Sequence, residues 1–192
     1  MTQLFLVRHG ETEWSRDGRH TSYTDLPLTD RGEEQARKLN GHLDPAAFGL
    51  ILCSPRHRSR ITAELAGFTG RFEPEVDQDL AEWNYGEYEG LTRHEIQRSV
   101  PDWTIWTGDP TGGESADQVR ARLQRVIDRV LGAGVAQAIA FSHGHALRAL
   151  TLCWLDVDFH RGEEFPLDTA TVSVLGDESG QRSLERWNAP VS

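Results

Sequence analysis

The chain has 192 residues, which suits one domain with a sizeable core, so we expect a single domain over residues 1–192. Apolar residues make up 38% and charged residues 26% of the chain, a composition that is typical of a soluble globular protein and excludes a disordered or fibrous one. The formal charge of −10 repels nucleic acid and anionic membrane surfaces, and neither is expected as a partner.

Short apolar runs and helical patterns alternate through the first half of the chain. Leu4–Val7 is predicted to be a buried strand that stops at Arg8, His9 and Gly10. Thr29 suits the N-cap of the first long helix, whose apolar face is Ala36, Leu39 and Leu43. The other elements predicted in this half are a strand over 48–53, a helix over 58–65 after Ser54-Pro55, and a strand over 73–76.

The second half begins with an aromatic and acidic segment, 80–91, which is predicted to be a loop. A short helix is predicted over 92–98, then a loop with tryptophan and glycine over 101–114, then the longest helix over 114–131. An apolar strand over 136–141 ends at Ser142, His143 and Gly144, and a helix over 146–155 follows it. Two last strands are predicted over 171–175 and 184–187.

Strands that are apolar without alternation indicate an α/β fold, a three-layer α/β/α sandwich with a mostly parallel central sheet covered on both faces. Ligands of such sheets bind beyond the carboxyl ends of the strands. Three of those ends carry polar side chains: Arg8 with His9, Ser54 leading to Arg58, and Ser142 with His143. The topology therefore predicts two imidazoles and two guanidiniums at one edge of one sheet.

These side chains suit phosphoryl transfer. A neutral imidazole such as His9 is a good nucleophile toward phosphorus, and neighbouring cations favour its neutral form. Guanidinium groups stabilise phosphoryl oxygens, and the helix after His143 should offer free N–H groups to an anion. A carboxyl in an apolar, aromatic loop can keep a proton near neutral pH for a leaving alkoxide, and Glu82, beside Trp83, fits that description.

Each of these residues taken alone also has a structural explanation. A single histidine at a strand end is usually a hydrogen-bonded residue, and single arginines are usually solvated or ion-paired. Glu82 is one acid among several in its segment. Trp103 and Trp106 are more often packing residues than ligand platforms, and a lid or core role is expected for them ahead of a docking edge for a protein substrate. The arginine bias of a chain whose sole lysine is Lys38 also has a genomic explanation.

The two cysteines, Cys53 and Cys153, fall in a predicted strand and a predicted helix, and they are expected to be reduced core residues. The N-terminus lacks the pattern of a signal peptide, and no apolar run is long enough to span a bilayer. We therefore expect a cytoplasmic protein.

Ordered motifs along nearly the whole chain resemble the histidine phosphatase superfamily, in the branch that includes cofactor-dependent phosphoglycerate mutase. Several motifs in order and at family spacing are more specific than any one of them. The segments that carry the resemblance are Leu6–Trp14, Thr24–Thr29, Ser54–Arg58, Glu82–Gly86, Gly112–Ser115 and Phe141–His145.

The resemblance implies a phosphoglycerate mutase-like fold and a phosphohistidine formed on His9. It implies that Arg8, Arg58 and His143 hold the phosphate and that Glu82 handles the proton. It also implies further substrate contacts from Ser15, Thr21, Ser22, Tyr85, Gly144 and His145. The family more often has Asn at the position of Ser15 and Gly at that of Ser22, so these two contacts depart from its pattern. No metal or organic cofactor is implied, and a homodimer, common in the family, is left open.

The mutases of the family follow the acid with an arginine and hold a cationic lid, whereas Trp83 follows Glu82 here. A phosphatase acting on a small phosphate ester is therefore expected, with a mutase or a phosphoprotein phosphatase or regulator as alternatives. Finer motifs resemble a sub-branch with sedoheptulose-1,7-bisphosphatase and actinobacterial acid phosphatases, which implies a sugar phosphate. Arg19 and Arg148 are the candidates to bind a second phosphate of the substrate. Each of them is also explained as a surface charge.

Overall fold

One sheet organises the chain in the computed structural model, which describes residues 2–178 and 181–191. Within those residues, its strands are β1 (Gln3–Arg8), β2 (Leu50–Cys53), β3 (Glu75–Val76), β4 (Gln137–Ser142), β5 (Val172–Glu178) and β6 (Gln181–Ala189). They lie in the order β3-β2-β4-β1-β5-β6. The first four pair in parallel, whereas β5 pairs antiparallel with both β1 and β6. The mostly parallel sheet predicted from the sequence is confirmed.

The α-helices of the described residues are α1 (Glu13–Arg16), α2 (Asp30–Leu39), α3 (His57–Leu65), α4 (Arg93–Gln97), α5 (Ala116–Gly132) and α6 (Gly144–Leu155). Thr29 is the N-cap of α2, as predicted, and its hydroxyl accepts a hydrogen bond from the Gly32 N–H. Ser115 starts α5 with a reciprocal bond to Gln118, which explains why this helix begins later than predicted. In the described residues, no helix combines the length and apolar character needed to cross a membrane.

Alternate strand residues are buried in two separate cores, one on each face of the sheet. Leu4 and Leu6 of β1 pack in the first core, and Val7 packs in the second. The first core is covered by α5 and α6, and the second is lined by residues of α2 and α3. Burial on both faces explains why the strands are apolar without alternation, and the three-layer arrangement is confirmed.

Element boundaries differ from the predicted ones where turns intervene. β2 starts at Leu50, because residues Pro45–Ala47 form a 3-10 turn that closes on Phe48. α2 ends at Leu39, so Leu43 is buried from the turn after the helix and not from the helix face. α6 starts at Gly144, with His143 as an extended N-cap residue. The last strand is longer than predicted, because it pairs along nearly all of β5.

The carboxyl ends of β1, β2 and β4 meet at one edge, as predicted. Arg8 is opposite Ser142 in the sheet register, and Cys53 is opposite Phe141. The backbone continues this pairing past the strands, since the His9 N–H donates to Ser142 O at 3.0 Å. The side chains that follow these strands are therefore positioned by backbone hydrogen bonds of the sheet.

Candidate active site

His9 lies at the end of β1 and is 5% exposed. Its Nδ1 is 2.7 Å from Gly10 O, and because a carbonyl only accepts, Nδ1 carries the proton. Burial, reinforced by Arg58 and Arg8, holds the pKa of His9 well below its usual value. The ring is therefore neutral near pH 7 and presents a bare lone pair on Nε2.

The turn after His9 requires glycine for a steric reason. A Cβ on Gly10 would lie 2.3 Å from the carbonyl oxygen of Gly32, in the first turn of α2. Such a contact is impossible without moving one of the two backbones, because both atoms belong to the main chain. The hydroxyl of Thr62 also accepts the Gly10 N–H at 3.0 Å. The backbone that carries His9 is thus packed against α2 and α3.

Arg8 is a buried guanidinium that has no carboxylate within 4 Å in the described residues. Its Nη1 donates to Leu167 O, and its buried Nε has no hydrogen-bond partner there. A Cβ on Gly144 would lie 3.4 Å from this guanidinium, so the helix start packs directly against it. Burial lowers the pKa of Arg8 from its usual value. A bound anion would neutralise the charge of Arg8 and accept a hydrogen bond from its free Nε–H.

Arg58 and His143 form a buried pair behind His9. Nε of Arg58 donates to Nδ1 of His143 at 3.2 Å, so His143 carries its proton on Nε2 and donates it to Ser54 Oγ at 2.6 Å. The other Arg58 nitrogens donate to backbone carbonyls of the 21–24 loop. The rings of His9 and His143 are 5.2 Å apart. Burial, then Arg58, lowers the pKa of His143, so its ring is neutral as well.

Glu82 caps the start of α6. Its carboxyl oxygens accept the N–H groups of Trp83, His145 and Ala146 at 2.7 to 3.1 Å. The first N–H groups of α6 that the sequence predicted to be free for an anion are therefore taken by Glu82. Oε1 accepts two of these bonds and Oε2 accepts one, so Oε2 retains capacity for a further partner.

The 21–24 loop beside the site is held by hydrogen bonds from its backbone N–H groups to a carboxylate. Glu89 accepts the N–H groups of Ser22 and Thr24 and the Ser22 hydroxyl, all near 3.0 Å. Ser22 is 2% exposed and its hydroxyl is used in this contact. Ser15, in α1, and Thr21 line the cavity described next.

A cavity of about 150 Å³, the reaction cavity, lies at this edge of the sheet. Most of the predicted site residues line it: Arg8, His9, Ser15, Thr21, Glu82, Tyr85, Gly144 and His145. Arg58, His143 and Ser22 do not line it and pack behind its wall. Arg58 donates to the carbonyls of Thr21 and Ser22 and to His143, and His143 donates to Ser54. A phosphate contact from Arg58 or His143 stays a prediction.

Sequence reasoning missed several residues of the cavity wall, above all His20, while Arg19 and Arg148 had been considered only for a second phosphate. His20 donates from Nδ1 to Leu91 O at 2.8 Å and lies 4.7 Å from the Tyr85 ring, centroid to centroid. His145 contacts the Tyr85 hydroxyl through Nδ1 at 2.6 Å. Burial lowers the pKa of both histidines. The sequence signal that pointed to His20 was its place inside the motif from Gly18 to Thr21.

Trp103 and Trp106, which the sequence left as a lid, a core or a docking edge, are 5% and 4% exposed. Both belong to the first core, and both line a second cavity beside the first. Across residues 2–178 and 181–191, no group of three or more histidine, cysteine, aspartate or glutamate side chains is arranged to hold a metal ion.

Comparison with known proteins agrees with this geometry. A family model described as the histidine phosphatase superfamily (branch 1) matches residues 4–190. An acid phosphatase of Mycobacterium tuberculosis is 42% identical over 189 residues, which cover 95% of this chain and 90% of that protein. A sedoheptulose 1,7-bisphosphatase of Saccharomyces cerevisiae is 35% identical over 207 residues, which cover 92% of this chain and 76% of that protein.

The fold has a similar solved counterpart. The structure of an open reading frame product from Mycobacterium tuberculosis superimposes with a TM-score of 0.93 at 39% identity. The alignment covers 100% of this chain and 99% of that one. The phosphoglycerate mutase-like fold implied by the sequence motifs is therefore confirmed.

Proposed function

The chain belongs to the histidine phosphatase superfamily, branch 1, and is a hydrolase of phosphate esters; from that premise we propose that it works through a phosphohistidine on Nε2 of His9. The observation that carries this proposal is the bond from Nδ1 of His9 to Gly10 O. That bond, together with the lowered pKa of His9, leaves Nε2 as the unprotonated nitrogen at the wall of the reaction cavity.

In the first half of the proposed cycle, the lone pair of His9 Nε2 forms a bond to phosphorus while the ester P–O bond breaks. The departing oxygen takes the electron pair and a proton from the Glu82 carboxyl, and leaves as an alcohol. Arg8 stabilises the phosphoryl oxygens through the Nε that is otherwise without a partner. The ring of His143 packs against that of His9 from behind, and Arg58 holds His143 through its Nδ1.

In the second half, the Glu82 carboxylate takes a proton from a water molecule, whose oxygen forms a bond to phosphorus as the P–N bond breaks. The electron pair returns to Nε2, inorganic phosphate leaves, and Glu82 is protonated again for the next cycle. We assign this work to Oε2, because it accepts one backbone hydrogen bond and Oε1 accepts two. The proposed cycle uses protein side chains and water and needs no metal or organic cofactor.

We propose a small phosphate ester of the sugar phosphate class as the substrate. The bisphosphatase similarity supports this class, as does a cavity wall with neutral, hydrogen-bonding groups. A phosphoprotein substrate is a weaker candidate, because Trp103 and Trp106 are buried and do not form a docking edge. A cytoplasmic location is part of the proposal; cell fractionation tests it, and recovery of the protein outside the cytoplasm would contradict it.

The mutase alternative has less support from the side chains around Glu82. Trp83 is fully buried against Trp106 and Phe159, where a mutase of the family would place a cation. Lys38, the sole lysine, is exposed on α2 and does not line the reaction cavity. A coupled assay on 3-phosphoglycerate tests this directly, and mutase turnover well above phosphatase turnover would displace the hydrolase proposal.

The phosphohistidine is tested by hydrolysis of p-nitrophenyl phosphate by the native protein and by His9→Ala. We expect the native activity to survive EDTA and to be inhibited by vanadate. His9→Ala should lose at least about 10³-fold in kcat, as expected when a nucleophile is removed. A rapid-quench experiment with labelled substrate should trap an acid-labile, base-stable phosphoprotein in the native protein.

The matched control is His42→Ala, which removes an exposed histidine on the chain that follows α2. It should keep native activity and give the same labelling. Retained turnover in His9→Ala, or complete loss of native turnover in EDTA, would show that the proposed mechanism is wrong.

A further inference from the structure

The loop over residues 166–171, which precedes β5, holds Arg8 by both its main chain and its side chain. Nη1 of Arg8 donates to Leu167 O, and the main-chain oxygen of Arg8 accepts the N–H of Ala170 at 3.0 Å. Arg8 and Leu167 both line the reaction cavity. Because the same loop contacts the backbone and the guanidinium, the position of the 166–171 loop determines where this cation lies in the cavity.

The 166–171 loop has a backbone conformation that depends on its surroundings. Ala170 has a φ of +54°, in the left-handed region that residues with a Cβ rarely adopt. Its side chain is buried in the second core, and this packing opposes relaxation to an ordinary φ. The contacts that hold the loop in place are therefore of interest for the geometry of Arg8.

Asn188, near the end of β6, makes two hydrogen bonds to this loop, and both go to one residue. Its Oδ1 accepts the N–H of Asp168 at 2.8 Å, and its Nδ2 donates to Oδ2 of Asp168 at 3.0 Å. A pair of bonds to the main chain and the side chain of one residue fixes orientation as well as distance. Asn188 thus fixes the peptide group on which Arg8 depends.

A single peptide unit connects Asn188 to Arg8. The carbonyl of Leu167 and the N–H of Asp168 belong to the same planar peptide group. Arg8 donates to the oxygen of this group, and Asn188 accepts from its nitrogen. Hydrogen bonds in series polarise one another, so the bond to Asn188 strengthens the bond from Leu167 O to the guanidinium.

An irregularity in β6 directs the Asn188 side chain toward the loop. Where β5 advances two positions, from 172 to 174, β6 advances three, from 186 to 189, so β6 carries one extra residue there. Asn188 lies in this bulge with a φ of +51°, a left-handed conformation that asparagine adopts more readily than most residues. Bulges next to active sites re-aim side chains in this way.

We infer that Asn188 is a positioning residue for the phosphate-binding Arg8, and that it acts through the peptide unit between Leu167 and Asp168. Neither Asn188 nor Asp168 is among the described residues that line the reaction cavity, so their effect on a bound phosphate is transmitted by Arg8. The inference rests on the proposed function for the role of Arg8 in binding phosphate. It concerns binding and is testable without turnover.

The test measures the affinity of inorganic phosphate for the native protein and for Asn188→Gly by isothermal calorimetry. Glycine adopts the left-handed backbone of the bulge without strain, so this variant removes the two side-chain bonds and keeps the bulge. We expect the Kd of phosphate to rise about fivefold, because a displaced guanidinium makes a poorer charge-assisted hydrogen bond. The kcat/KM for p-nitrophenyl phosphate should fall by a similar factor.

A double-mutant cycle with Arg8→Met distinguishes positioning of Arg8 from a general structural role. Arg8→Met should weaken phosphate binding by on the order of 10- to 100-fold, because charge-assisted hydrogen bonds are lost. Adding Asn188→Gly to Arg8→Met should then change the Kd by less than about twofold, since the group that Asn188 positions is gone. A further fivefold loss in the double variant would overturn the inference, because Asn188 would then act by a route that bypasses Arg8.

An exchange of the two side chains provides a rescue. Asn188→Asp alone brings two carboxylates together and should weaken phosphate binding more than Asn188→Gly does. Adding Asp168→Asn allows the exchanged side chains to form the same two bonds, and the Kd should return to within about twofold of the native value. An exchange variant that binds phosphate no better than Asn188→Asp would contradict the inference.

The matched control is Asp44→Ala, which removes a side-chain bond to the main-chain N–H of Ala46 in the turn before β2. It should leave the Kd of phosphate unchanged, and thermal unfolding would verify that each variant is folded. An unchanged Kd in Asn188→Gly, with Arg8→Met impaired, would overturn the inference and leave the proposed function intact. Failure of the proposed role of Arg8 has a different signature, which is native phosphate affinity in Arg8→Met.

Discussion

The two cavities share three lining residues but are built in different ways. Around the reaction cavity, His9 and His143 follow strands directly, and backbone hydrogen bonds between β1 and β4 place them. Around the second cavity, the walls come from the loops near Trp103 and Trp106 and from the 3-10 helix Phe159–Glu164. The edge of the first wall that carries Arg8 and His9 is fixed by the sheet, whereas its loop side and the second wall are fixed by side-chain packing and loop hydrogen bonds.

This difference separates chemistry from selection. Groups that must hold a reacting phosphorus within tenths of an ångström belong on the rigid sheet edge, where a displacement would move the whole fold. Groups that select a substrate lie on segments that can change without disturbing the sheet. Substitutions in the first wall should therefore reduce turnover on every substrate, whereas substitutions in the second should alter preference between substrates.

Gly10→Ala should produce the largest effect. The new Cβ would meet the Gly32 carbonyl oxygen at 2.3 Å, so the chain that carries His9 must shift. A shift of about 1 Å in a reacting group costs on the order of 10²-fold, and we expect at least that loss in kcat/KM on every substrate. The matched control is Gly132→Ala in α5, where a Cβ meets nothing within 4 Å and activity should be native. Native activity in Gly10→Ala would show that the first wall is not rigid.

The next effect in size is acid destabilisation, to which both cavities contribute. Folding lowers the pKa of His9, His20, His143 and His145, so below about pH 6.5 the unfolded chain binds more protons than the folded one. Their contribution to stability is complete above that pH and is lost as the pH falls, by up to about 1.4 kcal/mol per pH unit for each histidine.

Urea unfolding at pH 7.5, 6.5 and 5.5 measures this dependence. Saturating phosphate should raise the stability at each of the three pH values, because an anion at Arg8 binds the folded state. His20→Gln should lower the slope of the unfolding free energy against pH by the contribution of one histidine, which is up to about 1.4 kcal/mol per pH unit. A stability that is constant across this range would contradict the neutral state assigned to the four rings.

Ser54→Ala tests the support behind the first wall. It removes the acceptor of the His143 Nε2 proton and leaves that buried N–H without a partner, which costs about 1–3 kcal/mol of stability. We expect kcat to fall about tenfold on monophosphates and bisphosphates alike, with KM little changed. Ser59→Ala is the matched control, since this equally buried hydroxyl makes a weaker 3.4 Å bond to Ser142 O. An equal effect of the two variants would mean that the His143 contact has no special role.

Gly162→Ala should have the smallest effect, and a selective one. A Cβ there would lie 2.3 Å from the Trp106 ring, against which Arg148 packs. Trp106 and Arg148 must move, so we expect the ratio of kcat/KM for a sugar phosphate, fructose 6-phosphate, over p-nitrophenyl phosphate to fall about threefold. Gly132→Ala again serves as the control. An unchanged ratio would show that the contact of Gly162 with Trp106 does not affect the choice between substrates.

The same contrast explains what could be predicted from the sequence. The order of elements, the two-faced sheet and the meeting of Arg8, Ser54 and His143 follow from apolar runs and from the geometry of parallel strands. The family resemblance added Glu82, which spacing alone did not distinguish from its neighbours. The hydrogen bonds from Glu82 to the N-terminus of α6 were not predictable. They are tertiary contacts, with sequence separations of 63 and 64 positions.

The hydrogen-bond partners of Arg58 and the second cavity were also out of reach of sequence reasoning. Whether a guanidinium faces a ligand or the backbone depends on where the 21–24 loop places its carbonyls. Likewise, Arg19 and Arg148 could be told apart only when the partner of each was known. Pairing of charges across distant segments is set by packing and has no local sequence pattern.

The carbonyl of Gly10 has a consequence for how long the proposed phosphoenzyme lives. Once Nε2 carries phosphorus, the ring keeps its Nδ1 proton and becomes a positive leaving group, and this oxygen is what stabilises the charge. A main-chain atom cannot be exchanged by any codon change. Side-chain substitutions therefore leave this one contribution to the lifetime of the covalent state in place, and the lifetime changes instead through the group that activates water, Glu82.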